Sequence, residues 1–228
     1  MSPRVAVIVP VLDERAELPA LAAELAGLQR AQAEVVIVDG GSTDGTRAEL
    51  DRLGLAVVDA PRGRARQMNA GARATSAPVL LFLHADTRLP DGALDAIGAA
   101  IDAGAAGGCF RVRIDSPDPR LAIAAAIINM RSRLIASASG DQAIFVRRDH
   151  FDRLGGYREL ALCEDLDLVA RLRRHGRFVL CDGAVTTSAR RWHGHGVMRT
   201  IALMWTLRLG YHLGVSPNRL ARWYRDAR

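Results

Sequence analysis

The sequence predicts an α/β fold in which a mostly parallel central sheet is flanked by helices, with a mixed second half and helices at the C-terminus. Two observations carry this. Up to residue 90, short apolar runs alternate with segments of helical periodicity, and such alternation means parallel pairing through right-handed crossovers. Within that region Val79 to Leu83 has no polar break, as a central strand covered on both faces requires, and Pro78 and Pro90 mark its surroundings as non-helical. The chain of 228 residues is 49% hydrophobic, enough for one full core. One domain is expected over residues 1–192, in halves 1–90 and 91–192, with a C-terminal annex at 193–228.

Val5 to Val9 reads as the first strand, and Leu18, Leu21, Leu25 and Leu28 then form one helical stripe behind Pro19. Val35 to Val38 is the second strand. It runs through Asp39, Gly40, Gly41, Ser42, Thr43, Asp44 and Gly45 into a helix that stops at Gly54. Leu55 to Asp59 is the third strand, the arginines from Arg62 open the third helix, and the fourth strand ends in His84, Ala85 and Asp86 before a helix from Asp91. Phe110 to Ile114 alternates apolar residues with arginine, the pattern of a half-exposed antiparallel strand. Arg120 to Ile135 reads as a helix and Ala143 to Val146 as a strand. Glu164 to His175 reads as a helix with Leu166, Val169, Ala170 and Leu172 inside. Val179 to Cys181 and Ala184 to Thr187 are expected to be short edge strands, and the histidines His193 and His195 to lie exposed in a glycine-rich loop. Val197 to Leu213 is a helix apolar on nearly every face, and Ser216 and Pro217 supply the N-cap and first-turn proline of a final arginine-rich helix.

All 31 basic residues are arginine, which excludes any mechanism that needs a lysine, including a Walker phosphate loop and pyridoxal chemistry. Arginine favours forked recognition of phosphate, so the net charge of +6 fits a phosphorylated substrate, an anionic membrane surface or nucleic acid. Cys109, Cys163 and Cys181 are widely spaced and form no CxxC pair, which argues against a disulfide framework and a zinc site and for a reduced, cytoplasmic setting. The apolar run Val5 to Val9 is too short for a secretory signal, and Asp13 and Glu14 follow it at once. No stretch reaches the roughly 18 apolar residues of a spanning helix. A soluble chain, or one peripheral to the inner face of the membrane, is expected.

Several motifs have a chemical and a structural reading. The first strand leads into Pro10, Val11, Leu12, Asp13 and Glu14 and not into a glycine triplet, which argues against a nicotinamide dinucleotide fold. Asp39 ends the second strand, where a carboxylate can accept from a base or ribose; the same segment reads equally as an ordinary turn in which Ser42 and Thr43 cap the next helix. Arg62, Arg64 and Arg66 sit near a helix start, suited to phosphate, or form a solvated basic face. Asp86 past the fourth strand either meets a metal and a charged substrate or starts a turn. Glu164 and Asp165 open a helix as dipole complements, or face a closed site where mutual repulsion raises one pKa toward that of a general base.

Taken together, VIVPVLDE, VDGGSTDGT, GRARQMNAGA, LFLHADT, GDQAIFVRR, CEDLDLVARLRRHG and TSARRW resemble the family 2 glycosyltransferases of GT-A fold, and more narrowly their small bacterial arsenosugar-biosynthesis-type branch. The resemblance runs from Arg4 to Tyr224 in one order. It implies an inverting hexosyltransferase that binds a nucleoside diphosphate sugar, a UDP sugar foremost, with a divalent cation (Mn2+ or Mg2+). Residues 1–90 become the nucleotide-binding half and 91–192 the acceptor half. By motif, Pro10, Leu12, Glu14 and Asp39 line the nucleoside, Arg64 or Arg66 lies near the phosphates, and Ala85 and Asp86 belong to the nucleotide-sugar site, with Asp86 holding the metal. Asp165 is the base with Glu164 beside it. Gly140, Asp141 and Gln142 border the acceptor, and Arg191 and Trp192 cover the site. One departure stands out: the first acidic residue of the usual Asp-x-Asp is His84 here.

Other readings remain open. A polyprenyl phosphate acceptor would place the 197–213 segment on a membrane, and the same segment offers a homo-oligomer contact. Nucleotidyl transfer is disfavoured by the missing lysine and the missing glycine loop. A non-catalytic nucleic-acid binder is disfavoured because the arginines carry no interleaved aromatics, and no nucleic-acid partner is expected.

Overall fold

The computed structural model describes residues 4–226, apart from the side chains of Arg191, His193, His195, Arg225 and Asp226. Strands β1 (Val5–Val11), β2 (Glu34–Asp39), β3 (Val57–Asp59), β4 (Val79–Phe82), β5 (Thr87–Arg88), β6 (Gly107–Asp115), β7 (Ile144–Arg147) and β8 (Phe178–Ser188) form one sheet in the order β3-β2-β1-β4-β7-β6-β8-β5. The first four are parallel, β7 is antiparallel to both β4 and β6, and β8 runs parallel to β6. The sheet is therefore parallel on one side and mixed on the other, as the sequence predicts.

The helices are α1 (Leu18–Arg30), α2 (Thr46–Arg52), α3 (Arg64–Arg73), α4 (Ala93–Asp102), α5 (Pro119–Ile135), α6 (Arg148–Arg153), α7 (Glu164–His175), α8 (Arg190–His195), α9 (Val197–His212) and α10 (Pro217–Asp226). Every residue of β1 is buried because both faces are covered. Val5, Val7 and Val9 join Leu21, Leu25 and Phe145 in one apolar layer, while Ala6 and Ile8 join Met68, Phe82 and Leu172 in the other. Each such side chain contributes about 1.5–3 kcal/mol by leaving water. Helix α3 approaches the sheet closely enough that a Cβ at Gly71 would sit 2.4 Å from Ile8 Cγ2.

The structure corrects several expectations. The two short edge strands are one strand, β8, bulged where its register with β6 jumps from Cys181 to Ala184, with Gly183 at φ 92° supplying the left-handed kink. It is not the edge, because the two-residue β5 pairs outside it. Helix α2 has Gly45 at its N-cap with no side-chain cap there; Asp44 just before it accepts from Thr46 N at 2.9 Å through Oδ1, and neither Ser42 nor Thr43 caps the helix. Residues 190–195 form helix α8 and not a loop; the side chains of His193 and His195 lie outside the described residues. Helix α6 was not legible. Helix α7 keeps its expected bounds and buries Val169 and Leu172 as expected, but Ala170 is exposed and Leu166 half-buried, while Glu164, Asp165, Asp167 and Arg171 are also inside. Among the described residues no helix is long and apolar enough to cross a membrane.

Candidate active site

In the order β3-β2-β1-β4, the chain reverses direction of addition between β1 and β4, which opens a crevice at their carboxyl ends. Pro10 and Leu12 end β1 there, Asp39 ends β2, and Ala85 and Asp86 follow β4. The loops are tied together by polar side chains. Asp13 N donates to Ser42 Oγ at 3.0 Å, Thr43 N to Asp13 Oδ1 at 2.7 Å, Glu14 N to Thr46 Oγ1 at 2.9 Å and Arg15 N to Asp44 Oδ2 at 3.0 Å. Asp39 is buried, and its carboxylate accepts from both the amide and the hydroxyl of Ser42. Gln67, buried in α3, donates to the carbonyls of Val11 and Val38 at 2.8 and 3.0 Å, so one amide pins the ends of both strands.

Glu14 is held from across the chain. Arg190 donates to Glu14 Oε2 at 2.9 Å and pairs with Glu17 Oε1 at 3.0 Å, joining the start of α8 to the loop after β1. The hydrogen bond to Glu14 raises the Arg190 pKa, and Asp86 adds to that field. Asp86 also lines a cavity of about 90 Å³ with Glu17, Leu21, Glu24, Asp115 and Thr187. That cavity does not reach His84, Asp141 or Asp165, so it is a neighbour of the carboxylate cluster and not the cluster itself.

Among the described residues no group of three His, Cys, Asp or Glu side chains is arranged to hold a metal. What Asp86 offers is one carboxylate, which accepts from the Thr87 hydroxyl at 3.3 Å. A hard divalent cation completed by substrate phosphate oxygens and water fits such a donor; an all-protein cage does not.

The second group lies where α7 meets the 3-10 turn Gly140–Gln142. Gly140 N donates to Asp165 Oδ2 at 2.9 Å, and His84 Nδ1 lies 3.1 Å from Asp141 Oδ1. Two buried polar atoms here have no hydrogen-bond partner, His84 Nε2 and Asp165 Oδ1. A Cβ at Gly140 would lie 2.3 Å from the first of these and 2.6 Å from Asp165 Oδ2, so glycine is what lets the ring, the turn and the carboxylate close together. Burial pushes the Glu164 carboxyl up to about 7, with the Asp165 charge adding to it. Burial likewise raises Asp165, against the opposing fields of His84 and Arg64. Tyr157, buried beside them, is pushed well up by burial and by both carboxylates.

Arg64 and Arg66 separate. Arg64 is an exposed residue whose pKa is raised by the charges of Glu164, Asp165 and Asp141 against some desolvation, so its guanidinium belongs to the rim of the cluster. Arg66 instead pairs with Glu159 at 2.8 Å on an exposed surface. Asp167 turns into a buried ion pair with Arg171 at 2.6 Å and is structural. Gln142 is fully buried, donating to Phe110 O at 3.0 Å, and Trp192 packs half-buried against the core. The Arg191 side chain lies outside the described residues. Sequence reasoning did not find Gln67, Arg190 or Tyr157; the partners of Arg190 are 173 and 176 positions away, the difference from Glu17 and Glu14.

The family model for Glycosyl transferase family 2 matches residues 6–152. Uncharacterized glycosyltransferases of Mycobacterium bovis and Mycobacterium tuberculosis are 35% identical over 102 residues, covering 44% of this chain and 45% of each relative. The chain thus aligns with about half the length of these curated relatives. Among solved structures, the mannosyltransferase PcManGT from Pyrobaculum calidifontis in complex with GDP-Man and Mn2+ superposes with a TM-score of 0.71 at 21% identity, over 100% of this chain and 70% of that one. TarS of S. aureus in complex with UDP-GlcNAc superposes with a TM-score of 0.63 at 19% identity, over 81% of this chain and 58% of that one.

Proposed function

Because the chain belongs to glycosyl transferase family 2 and has the GT-A fold, we propose that it moves a hexosyl group from a nucleoside diphosphate sugar to an acceptor hydroxyl, with Asp165 as the general base. The state of Asp165 carries this reading. It is buried, one oxygen is fixed by the Gly140 amide, the other has no partner, and its pKa is raised. A carboxylate so placed is oriented and poised to take a proton. The acceptor O–H gives its proton to Oδ1 while its oxygen attacks the anomeric carbon. The bond from that carbon to the diphosphate oxygen breaks, the electron pair leaves with the nucleoside diphosphate, and the configuration inverts. No carboxylate nucleophile is needed.

In this reading Pro10, Leu12, Glu14 and Asp39 line the nucleoside, and Arg64 faces the diphosphate side of the cluster. Gly140, Asp141 and Gln142 border the acceptor, with Arg191 and Trp192 covering it. Asp86 would hold Mn2+ or Mg2+ together with the diphosphate, where the cation supplies charge neutralisation for the leaving group. A UDP sugar is the donor of first choice, and a GDP sugar is the other. The three free cysteines support a cytoplasmic setting.

Thermal denaturation with UDP and GDP sugars, with and without Mn2+, tests the assignment. A donor at 100 times its dissociation constant adds about 2.7 kcal/mol. Stabilisation and turnover by at least one sugar nucleotide is expected; inertness toward all of them would overturn it.

A further inference from the structure

Two arginines outside the described site converge on residues 137–142, and among the described residues neither is in an ion pair. Arg131 lies in the last turns of α5 and Arg208 in α9. Arg208 Nη2 donates to Ser137 Oγ at 2.8 Å. Arg131 Nη2 reaches only Gln142 Oε1, at 3.4 Å, and its Nε is buried with no partner. The Arg131 charge acts on Arg208. Burial brings both guanidinium pKa values down to about 10, with the Arg131 charge contributing to the fall at Arg208. Partly burying two like charges that act on each other is unfavourable unless an anion answers them, and a forked guanidinium pair is suited to a phosphate group.

The pair adjoins the carboxylate cluster through two short links. Gln142, which Arg131 touches, follows Asp141 in the turn that holds Asp165. Cys163, on which the Arg208 charge acts, immediately precedes Glu164. The rim is apolar, with Met130 and Leu134 of α5 and Trp205 and Leu209 of α9 each more than half exposed at 57%, 73%, 55% and 60%.

We propose that Arg131 and Arg208 form a second anion subsite that binds a phosphate group carried by the acceptor, beside the base and separate from the donor diphosphate. This rests on the glycosyl-transfer reading for the word acceptor, though not for the phosphate binding itself. The subsite orients the acceptor by its phosphate while a hydroxyl of the same molecule reaches Asp165. The phosphate belongs either to a soluble phosphoester or to a lipid headgroup whose chain lies on the apolar rim.

The test titrates inorganic phosphate into the full-length protein by calorimetry, comparing wild type with the double variant Arg131→Gln, Arg208→Gln. UDP with Mn2+ and GDP with Mn2+ serve as controls for an intact donor half. A tenfold or greater loss of phosphate affinity with donor affinity retained supports the subsite, and Arg131→Lys with Arg208→Lys should recover part of it. Co-sedimentation with phosphatidic acid vesicles against phosphatidylcholine vesicles separates the sources. Arginine-dependent binding to phosphatidic acid alone assigns a lipid phosphate, and binding of free phosphate without it assigns a soluble one. Equal phosphate affinity in wild type and double variant, or binding of neither free phosphate nor phosphatidic acid vesicles, overturns the subsite. If the arginine-dependent phosphate binding stands while no sugar nucleotide binds, the subsite survives and the transferase reading fails.

Discussion

The backbone amide of Gly140 lies 2.9 Å from Oδ2 of Asp165, and a Cβ on that glycine would stand 2.6 Å from the same oxygen and 2.3 Å from His84 Nε2. The turn and the helix are thus fitted to each other with no room for a methyl group. Gly140→Ala is expected to displace Asp165 by a good part of an ångström and lower turnover by on the order of 10², while sugar-nucleotide affinity stays within a few fold. Steady-state kinetics checks this. Unchanged turnover would mean that the contact does not position the carboxylate.

Glu164 gives a pH signature. Its carboxyl is raised from 4.5 to about 7, so in that window the folded state binds a proton that the unfolded state has released. The associated stability is full below pH 4.5 and is lost as pH rises through about 7. Glu164→Gln should remove that loss and stabilise the protein at pH 8 by on the order of 3 kcal/mol before any loss of hydrogen bonding. Denaturant midpoints at pH 5 and pH 8 measure it. A variant whose stability falls with pH as steeply as wild type would assign the shift to another group.

The sequence made the donor half readable because each strand there is an unbroken apolar run, and Asp86, Asp39 and Asp165 lie at strand or helix ends where local pattern locates them. The second half was harder for physical reasons. The Asp182–Gly183 bulge interrupts the apolar pattern of β8, so one strand looked like two. The inward face of α7 is only partly legible because periodicity counts apolar residues: Val169 and Leu172 are inside as expected, but the helix also buries Glu164, Asp165, Asp167 and Arg171 by pairing or shielding their charges. Contacts such as His84 with Asp141, 57 positions apart, or Arg190 with Glu14, 176 apart, have no local signal at all.

Gln67 joins the ends of β1 and β2 through the Val11 and Val38 carbonyls. Gln67→Leu keeps the approximate volume but removes both bonds, leaving the Val11 carbonyl with the Gly40 amide at 3.0 Å and the Val38 carbonyl without the glutamine donor. A destabilisation of about 1–3 kcal/mol is expected, together with weaker nucleotide binding. Chemical denaturation and nucleotide titration report the two effects, and a fully stable variant would show that water replaces the amide.

Asp86→Ala addresses the cation. The donor diphosphate should stabilise wild type strongly with Mn2+ and weakly in chelator, and the variant should show the weak value in both. Equal stabilisation of wild type with and without the metal would remove Asp86 from the role of metal ligand.

Asp165→Asn tests the central claim most directly. The asparagine can keep its carbonyl on the Gly140 amide and fill the same volume, but it cannot take a proton from the acceptor. With donor affinity unchanged, turnover should fall by ~10²–10⁴. Glu164→Gln should cost less, since the adjacent side chain on a helix points about 100° away. Near-normal turnover in Asp165→Asn would contradict the account and send the search for the base to Glu164 or Asp141.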